Sequence, residues 1–214
     1  MSSESNFRNS SGDPEERIDY AKVEWLVDAI REREGITPEM ETRVRLSDGA
    51  RAFRVPGKPG LQFTRFAIFA RKRPVLQAAT GEPITIEVDV EVTKTGEYKC
   101  FYVVDIYGLD GKLAAQMQSP TDAASLNNGG LRKIQVSLDP LLLGSGIFLL
   151  SIAVYDLSDE AENIGPEMRY DMLTRSYQLT VTAPTDSDPP RLHYPAVFSF
   201  GTTDNHVSSL VRGA

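Results

Sequence analysis

The chain has 214 residues, 41% of them hydrophobic, and a formal net charge of −7. That suffices for one domain with a real core plus extensions. The acidic balance, relieved only by the short run Arg71-Lys72-Arg73, argues against a phosphate-tracking nucleic-acid surface. The single cysteine, Cys100, cannot form an internal disulfide. The N-terminus is polar with no apolar signal core, and the longest apolar run, near 147–154, is too short to span a bilayer. The expected setting is cytoplasmic, without membrane insertion.

In chain order, residues 1–12 are rich in Ser, Asn and Gly and are expected to be a disordered tail. A helical extension and linker follow over 13–60. Asp13 can cap a helix, Pro14 suits its first turn and Glu16 completes a capping box. Ile18, Ala21, Trp25, Leu26, Ala29 and Ile30 make one apolar stripe at helical spacing, and Gly35 is a plausible stop. This stripe should dock on the body of the protein or on a partner. The Gly- and Pro-rich stretch 47–60 reads as a linker.

From Leu61 the period changes to two. Strands are expected at 61–70, 84–92, 98–107, 113–118, 131–139, 147–156 and 176–182, with a further short one near 196–200. Asp110-Gly111 is a turn, and 119–130 and the acidic stretch 156–168 are loops. Short strands with turns and no helices between them predict an all-β fold, an antiparallel jelly-roll or immunoglobulin-like β-sandwich over 61–183. Residues 184–214 are a linker and C-terminal tail.

The alternation also assigns faces. Tyr98, Cys100, Tyr102, Val104 and Ile106 form a wholly apolar face, so Lys99, Phe101, Val103, Asp105 and Tyr107 look outward. In 147–156, Phe148, Leu150, Ile152 and Val154 face in. Ile147, Leu149, Ser151, Ala153 and Tyr155 face out and are unusually apolar for solvent. Such a face wants a cover, whether the N-terminal helix, a dimer partner or a glycan.

Several segments in fixed order carry a resemblance. They are Thr80-Gly81-Glu82-Pro83-Ile84-Thr85-Ile86-Glu87-Val88, the run from Asp105 through Gly108-Leu109-Asp110-Gly111, the stretch Leu142 to Asp156 with Gly144 and Gly146, and the stretch Tyr170 to Val181. Over roughly 61–183 the chain resembles the C-terminal domain of Wzt-type proteins, the ATPase subunits of ABC transporters that export bacterial O-antigen polysaccharides. The resemblance implies a sandwich whose concave sheet face recognises the exported glycan, and a homodimer exchanging strands near the end of the domain. It implies a bacterial polysaccharide, and ABC-transporter or glycosyltransferase components, as partners. The protein would be held peripherally at the inner membrane through a transporter. No Gly-x-x-x-x-Gly-Lys-Ser/Thr motif occurs: Gly57-Lys58 and Gly111-Lys112 lack the spacing. The chain is therefore expected to be a stand-alone relative or a piece separated from its ATPase.

The candidate glycan contacts are Lys99, Phe101, Asp105, Tyr107, Ser151 and Tyr155. Aromatic faces stack on sugar rings, while carboxylates and hydroxyls exchange hydrogen bonds with sugar hydroxyls. An ordinary solvated or protein-covered face fits the same residues. Gln116 and Gln118 are polar enough to join such a groove. Glu87, Asp89 and Glu91 share one strand face, the residue types of glycoside hydrolysis, but three acids on an alternating strand equally describe a solvated face or an aggregation guard. The only histidines, His193 and His206, lie in the tail, and Cys100 reads as a buried small hydrophobe. No catalytic residue, cofactor or metal is therefore expected. The function expected is recognition of a surface polysaccharide for export. The alternative is an assembly module that binds protein and no sugar.

Overall fold

In a computed structural model, residues 23–157, 165–182, 192–193 and 197–203 are described. Asp13, Pro14, Glu16, Ile18, Ala21, the centre of the acidic loop and His206 lie outside them. The chain runs through helix α1 (Glu24–Glu34) and a short 3-10 turn (Pro38–Met40). Fourteen strands follow among the described residues: β1 (Thr42–Arg45), β2 (Arg51–Pro56), β3 (Leu61–Ala70), β4 (Arg73–Pro74), β5 (Gln77–Ala79), β6 (Ile84–Val92), β7 (Gly96–Gly108), β8 (Leu113–Gln118), β9 (Asp122–Leu126), β10 (Leu131–Leu138), β11 (Gly146–Asp156), β12 (Arg169–Thr182), β13 (Leu192–His193) and β14 (Val197–Thr203).

These form two sheets. Sheet A has the order β1-β2-β12-β11-β7-β8-β13, with β5 also pairing β12 and β9 pairing β7; sheet B has the order β14-β10-β6-β3-β4. Nearly all pairings are antiparallel, and the two sheets enclose the main core, so the all-β sandwich with an N-terminal helix is the observed class. Tyr98, Cys100, Tyr102, Val104 and Ile106 of β7, and Phe148, Leu150, Ile152 and Val154 of β11, all enter that core from sheet A. From sheet B come Ile84, Ile86, Val88, Val90 and Val92 of β6 and Ile134, Val136 and Leu138 of β10. Each such side chain contributes about 1.5–3 kcal/mol on burial, so a period of two sustained over four long strands fixes which side of each sheet is the inside.

Three stretches differ from the sequence reading. The Gly/Pro-rich 47–60 contains β2, which pairs β12 from Asp171↔Pro56 to Thr174↔Phe53. Gly57 is needed at the end of that strand, because a Cβ there would lie 1.9 Å from the Arg169 carbonyl oxygen. The expected loop 119–130 contains β9, which borrows the free edge of β7. Strand β12 begins at Arg169, seven residues before the expected 176. It carries a bulge opposite Ser151, where the register jumps from Leu150↔Tyr177 to Ile152↔Leu173 and Arg175 takes a left-handed backbone, φ 36°.

Helix α1 ends as its sequence implies. Gly35 adopts φ 63°, and the Ile36 N–H reaches back to the Arg31 carbonyl at 3.0 Å. The stripe residues Leu26 and Ile30 are fully buried, whereas Trp25 is 57% exposed.

Candidate functional site

Each sheet has an outer face, and the two are built differently. The six sequence-predicted contacts all belong to sheet A, on β7 and β11, on the side away from the main core. Tyr155 lies directly opposite Phe101, and Ser151 opposite Asp105, so the structure brings these residues together. It also places α1 over them. Leu26 and Ile30 pack against Tyr107 and Leu149, and Ile36 beyond the helix packs with Val55, Ala153, Met172 and Tyr155. The apolar outward set of β11 thus has its cover, supplied by the chain itself. Tyr107 and Ser151 are each 1% exposed and Phe101 3%. As the face stands, these three cannot stack on or hydrogen-bond to a sugar. Asp105 and Tyr155 are half-buried, and Lys99 is exposed. The Phe101 and Tyr155 rings stack on each other, 5.3 Å between centroids and 17° apart.

Beneath and beside α1 the covered face is polar in a way the strand pattern did not announce. The Glu41 carboxylate, just after the helix, is clamped by two arginines. Arg175 on the β12 bulge donates from both terminal nitrogens at 2.6 and 2.7 Å, and Arg31 on α1 donates at 2.8 and 3.2 Å. Arg31 also reaches Asp28 at 3.1 Å, and the Arg175 guanidinium lies 4.6 Å over the Phe53 ring. Burial pushes Glu41 upward, but the hydrogen bonds from Arg175 and Arg31 outweigh it and hold this carboxyl below its ordinary range. Glu34, in the last turn of α1, has the opposite fate. Burial drives its carboxyl up to about 7, against the hydrogen bonds of Ser151 and Thr174, the latter at 2.5 Å. Asp105 is also raised by burial, although Gln116 donates to it at 2.8 Å and the Tyr107 hydroxyl lies 3.5 Å away. Gln116, a residue expected to line a groove, does meet Asp105.

The outer face of sheet B carries no helix among the described residues. Its residues stand in register across four strands. One row runs Ala67–Glu87–Gln135–Ser199, flanked by Phe69–Thr85–Ser137–Val197 and by Arg65–Asp89–Lys133–Gly201. Three members of the middle row are hydrogen-bonded in series: Gln135 donates to Glu87 at 2.9 Å, and Ser199 donates to Gln135 at 3.3 Å. Arg65 donates to Glu87 at 3.4 Å, lies 3.7 Å from Asp89 and sits 5.5 Å over the Phe69 ring. Ala67, between Arg65 and Phe69 on β3, is buried. The second oxygen of Asp89 is buried without a hydrogen-bond partner. At the end of β3 the face runs into a cleft of about 430 Å³ lined by Ala70, Arg71, Arg73, Val75, Gln77 and Glu82. The β3–β4 turn there holds Arg71 and Lys72 at φ 50° and 65°, left-handed positions that two-residue hairpins demand and that side-chain-bearing residues seldom take.

The acids read from the sequence as a possible hydrolytic set belong to this same face. Glu87 and Asp89 are tied to Arg65 and Gln135, and Glu91 is exposed one row further on, opposite Gln62. Cys100 is buried, and its thiol is pushed up to about 12 by that burial, which leaves it inert. Its neighbour Tyr102 adjoins a buried Arg132–Asp122 pair, under Phe200 of the last strand. Among the described residues no helix is long and apolar enough to cross a membrane.

The class these features define is an antiparallel two-sheet sandwich with one outer face capped by an N-terminal helix. Among solved structures the C-terminal domain of Wzt shares that fold, with a TM-score of 0.51 and 19% identity over 85% of this chain and 93% of that domain. At that identity the likeness is one of fold. The alkylpurine DNA glycosylase AlkC from Pseudomonas fluorescens bound to abasic-site DNA (TM-score 0.39, 14% identity, 58% of this chain and 31% of that one) overlaps more loosely. So does the CARDB domain of PF1109 from Pyrococcus furiosus in complex with di-metal ions (TM-score 0.35, 12% identity, 59% and 97%). At these scores neither carries an argument. No family model and no curated protein sequence matches the chain.

Proposed function

We propose that this protein recognises a bacterial surface polysaccharide without making or breaking bonds, and that the glycan lies across the outer face of sheet B. The observation that carries the reading is the hydrogen-bonded row Glu87–Gln135–Ser199 on the sheet face that α1 leaves open. Phe69 offers an aromatic face for a sugar ring. Glu87, Gln135 and Ser199 are already held in one plane, so their hydrogen bonds to hydroxyls cost little ordering entropy. The fold likeness to the Wzt C-terminal domain supports a place in polysaccharide export, where an ABC-transporter component would be the protein partner and a homodimer the working form. Each neutral hydrogen bond nets about 1 kcal/mol against water, so affinity would come from several repeating units rather than one.

The sequence-predicted set remains a competing location. With Phe101, Tyr107 and Ser151 buried, contact there would rest on Lys99, Asp105 and Tyr155 at the rim. Titrating the protein with the polysaccharide of its source strain, followed by NMR shifts, separates the two. Phe69→Ala with Gln135→Ala should abolish the shifts, and Lys99→Ala with Tyr155→Ala should leave them. The reverse moves the site to sheet A. Saturating glycan that shifts nothing ends the carbohydrate reading.

A second reading, an assembly module that binds protein alone, is favoured by Trp25, the chain's single tryptophan, which α1 leaves 57% exposed beside the Gly111 turn. Trp25→Ala would then abolish partner capture while glycan binding stays nil.

A further inference from the structure

Helix α1 sits on sheet A through a small apolar contact and a set of ionisable groups that are unequally satisfied. Leu26 and Ile30 supply the contact on Tyr107 and Leu149. Among the described residues no ion pair reaches Glu34: Arg175 and Arg31 both hold Glu41, and Arg175 acts on Glu34 only through its charge. Glu34 is left with hydroxyls. Thr174 of β12 donates to one of its oxygens at 2.5 Å, Ser151 of β11 and Tyr107 of β7 face the same carboxyl, and the other oxygen is buried with no hydrogen-bond partner. A second acid, Asp105 of β7, lies close enough to oppose its ionisation.

We propose that α1 is a proton-controlled cover of sheet A, seated while the Glu34 carboxyl carries a proton and loosened when that carboxyl ionises. A neutral carboxyl tolerates this site with the one short hydroxyl bond it has. An ionised one is answered only by the Thr174, Ser151 and Tyr107 hydroxyls and by the charge of Arg175, and these do not offset the burial of the charge. The way to solvate the charge is to lift the helix, which uncovers Tyr107, Leu149 and Ser151. Burial raises Glu34 from its ordinary 4.5 to about 7, and the sign follows from linkage. The seated state gains from the bound proton, so its advantage is complete below about pH 4.5, falls as pH climbs, and is gone above about pH 7. Asp105, also raised by burial, works in the same direction at lower pH. Glu41, held low by its two arginines, is ionised across this window. The device concerns the helix seat and is independent of the glycan reading.

The test is amide hydrogen exchange on the full chain between pH 5 and 8, corrected for the intrinsic pH dependence of exchange. Amides of 27–34 are read against those of β11. The opening equilibrium of α1 should rise by up to about tenfold per pH unit between pH 5 and 7 and then level off, with β11 unchanged. Glu34→Gln, which mimics the protonated acid, should flatten the rise, and Asp105→Asn should retain it. Unchanged α1 protection in the wild type, or a rise that survives in Glu34→Gln, overturns the proposal. So does a carboxyl NMR titration of wild-type Glu34 with its midpoint near 4.5, a measurement that needs no variant to fold.

Discussion

The two outer faces of this sandwich are written in the same strand code and end in opposite states. On sheet B the outward residues of β6 and β10 are Thr85, Glu87, Asp89, Glu91, Leu131, Lys133, Gln135 and Ser137, all polar but Leu131, and no helix covers the face among the described residues. On sheet A the outward residues of β7 and β11 include Phe101, Tyr107, Leu149 and Ala153, and all four are buried, the last three of them under α1 and the segment that follows it. Alternation tells which way a side chain points. It does not tell whether solvent, protein or ligand is waiting there. The composition of the outward set does: a set that mixes leucine, alanine and aromatics with an occasional acid is a docking face, whereas a nearly all-polar set on successive strands forms a surface. On sheet A, Thr174 bonds Glu34 of α1 and Arg175 bonds Glu41 just after it.

The largest expected effect therefore lies on the covered face. Arg175 is 2% exposed and paired with Glu41. Glu41→Gln would leave a buried guanidinium without its counter-charge, at a cost of about 3–5 kcal/mol. Denaturant unfolding measures it. A loss below about 1 kcal/mol would mean that the clamp is solvated and that the faces differ less than the geometry says. Next comes the apolar half of the seat. Ile30→Ala deletes a fully buried side chain and should cost about 2–4 kcal/mol. The loss should appear first as opening of α1 in hydrogen exchange, ahead of any loss in β6 or β10, because the helix core is a separate cluster from the main one.

Much of this fold could be read from the chain. The long strands 61–70, 84–92, 98–107, 131–138 and 147–156 follow from a period of two in β-branched and aromatic residues, and Gly35 stops α1 where the stripe ends. The pieces that escaped lack a local signal. β2 is short and flanked by Gly and Pro, and it exists because β12 offers it an edge. β9, Asp-Ala-Ala-Ser-Leu, has weak strand propensity and is held by pairing with β7. The β12 bulge places Arg175 opposite a carboxylate 134 residues away, and no spacing rule links Glu41 to Arg175. For the same reason the six residues chosen on sheet A were correctly oriented, yet their cover could be named only as one option among three. Of the row on sheet B the sequence pattern shows only Glu87, beside Asp89 and Glu91 on the same strand. What turned it into a candidate platform was its register with Gln135 and Ser199, which the topology supplies.

A smaller effect should separate the faces by pH on the acid side. Glu41 is held below its ordinary range by Arg175 and Arg31. Its contribution is complete above about pH 4.5, the model-peptide range for such a group, and is lost as pH falls through the depressed folded value. Glu34 contributes in the opposite sense at higher pH. Seating of α1 should thus pass through a maximum near pH 4.5–5 and weaken on both sides, read as a maximum in α1 protection. The sheet B strands have no such pair of opposed acids against a docked element and should show no maximum there. A monotonic profile for α1 would mean that one of the two carboxyls is not where its surroundings place it.

The smallest stability change should accompany the largest change in binding. Gln135 is half-buried on an open face, donating to Glu87 and accepting from Ser199. Truncating it to alanine exposes those partners to water rather than stranding them in the core, so unfolding should shift by no more than about 0.5 kcal/mol. If the row is the glycan platform, the same variant removes the amide from the centre of the hydrogen-bonded plane. It should weaken polysaccharide binding about fivefold or more, since a lost hydrogen bond of about 1 kcal/mol per contacted unit is repeated along the chain. Ile30→Ala should do the reverse, costing stability while leaving glycan affinity within twofold, because α1 does not touch sheet B's outer face. A glycan affinity that follows α1 rather than Gln135 would place recognition on the covered face, and α1 would then be the part that competes with the sugar.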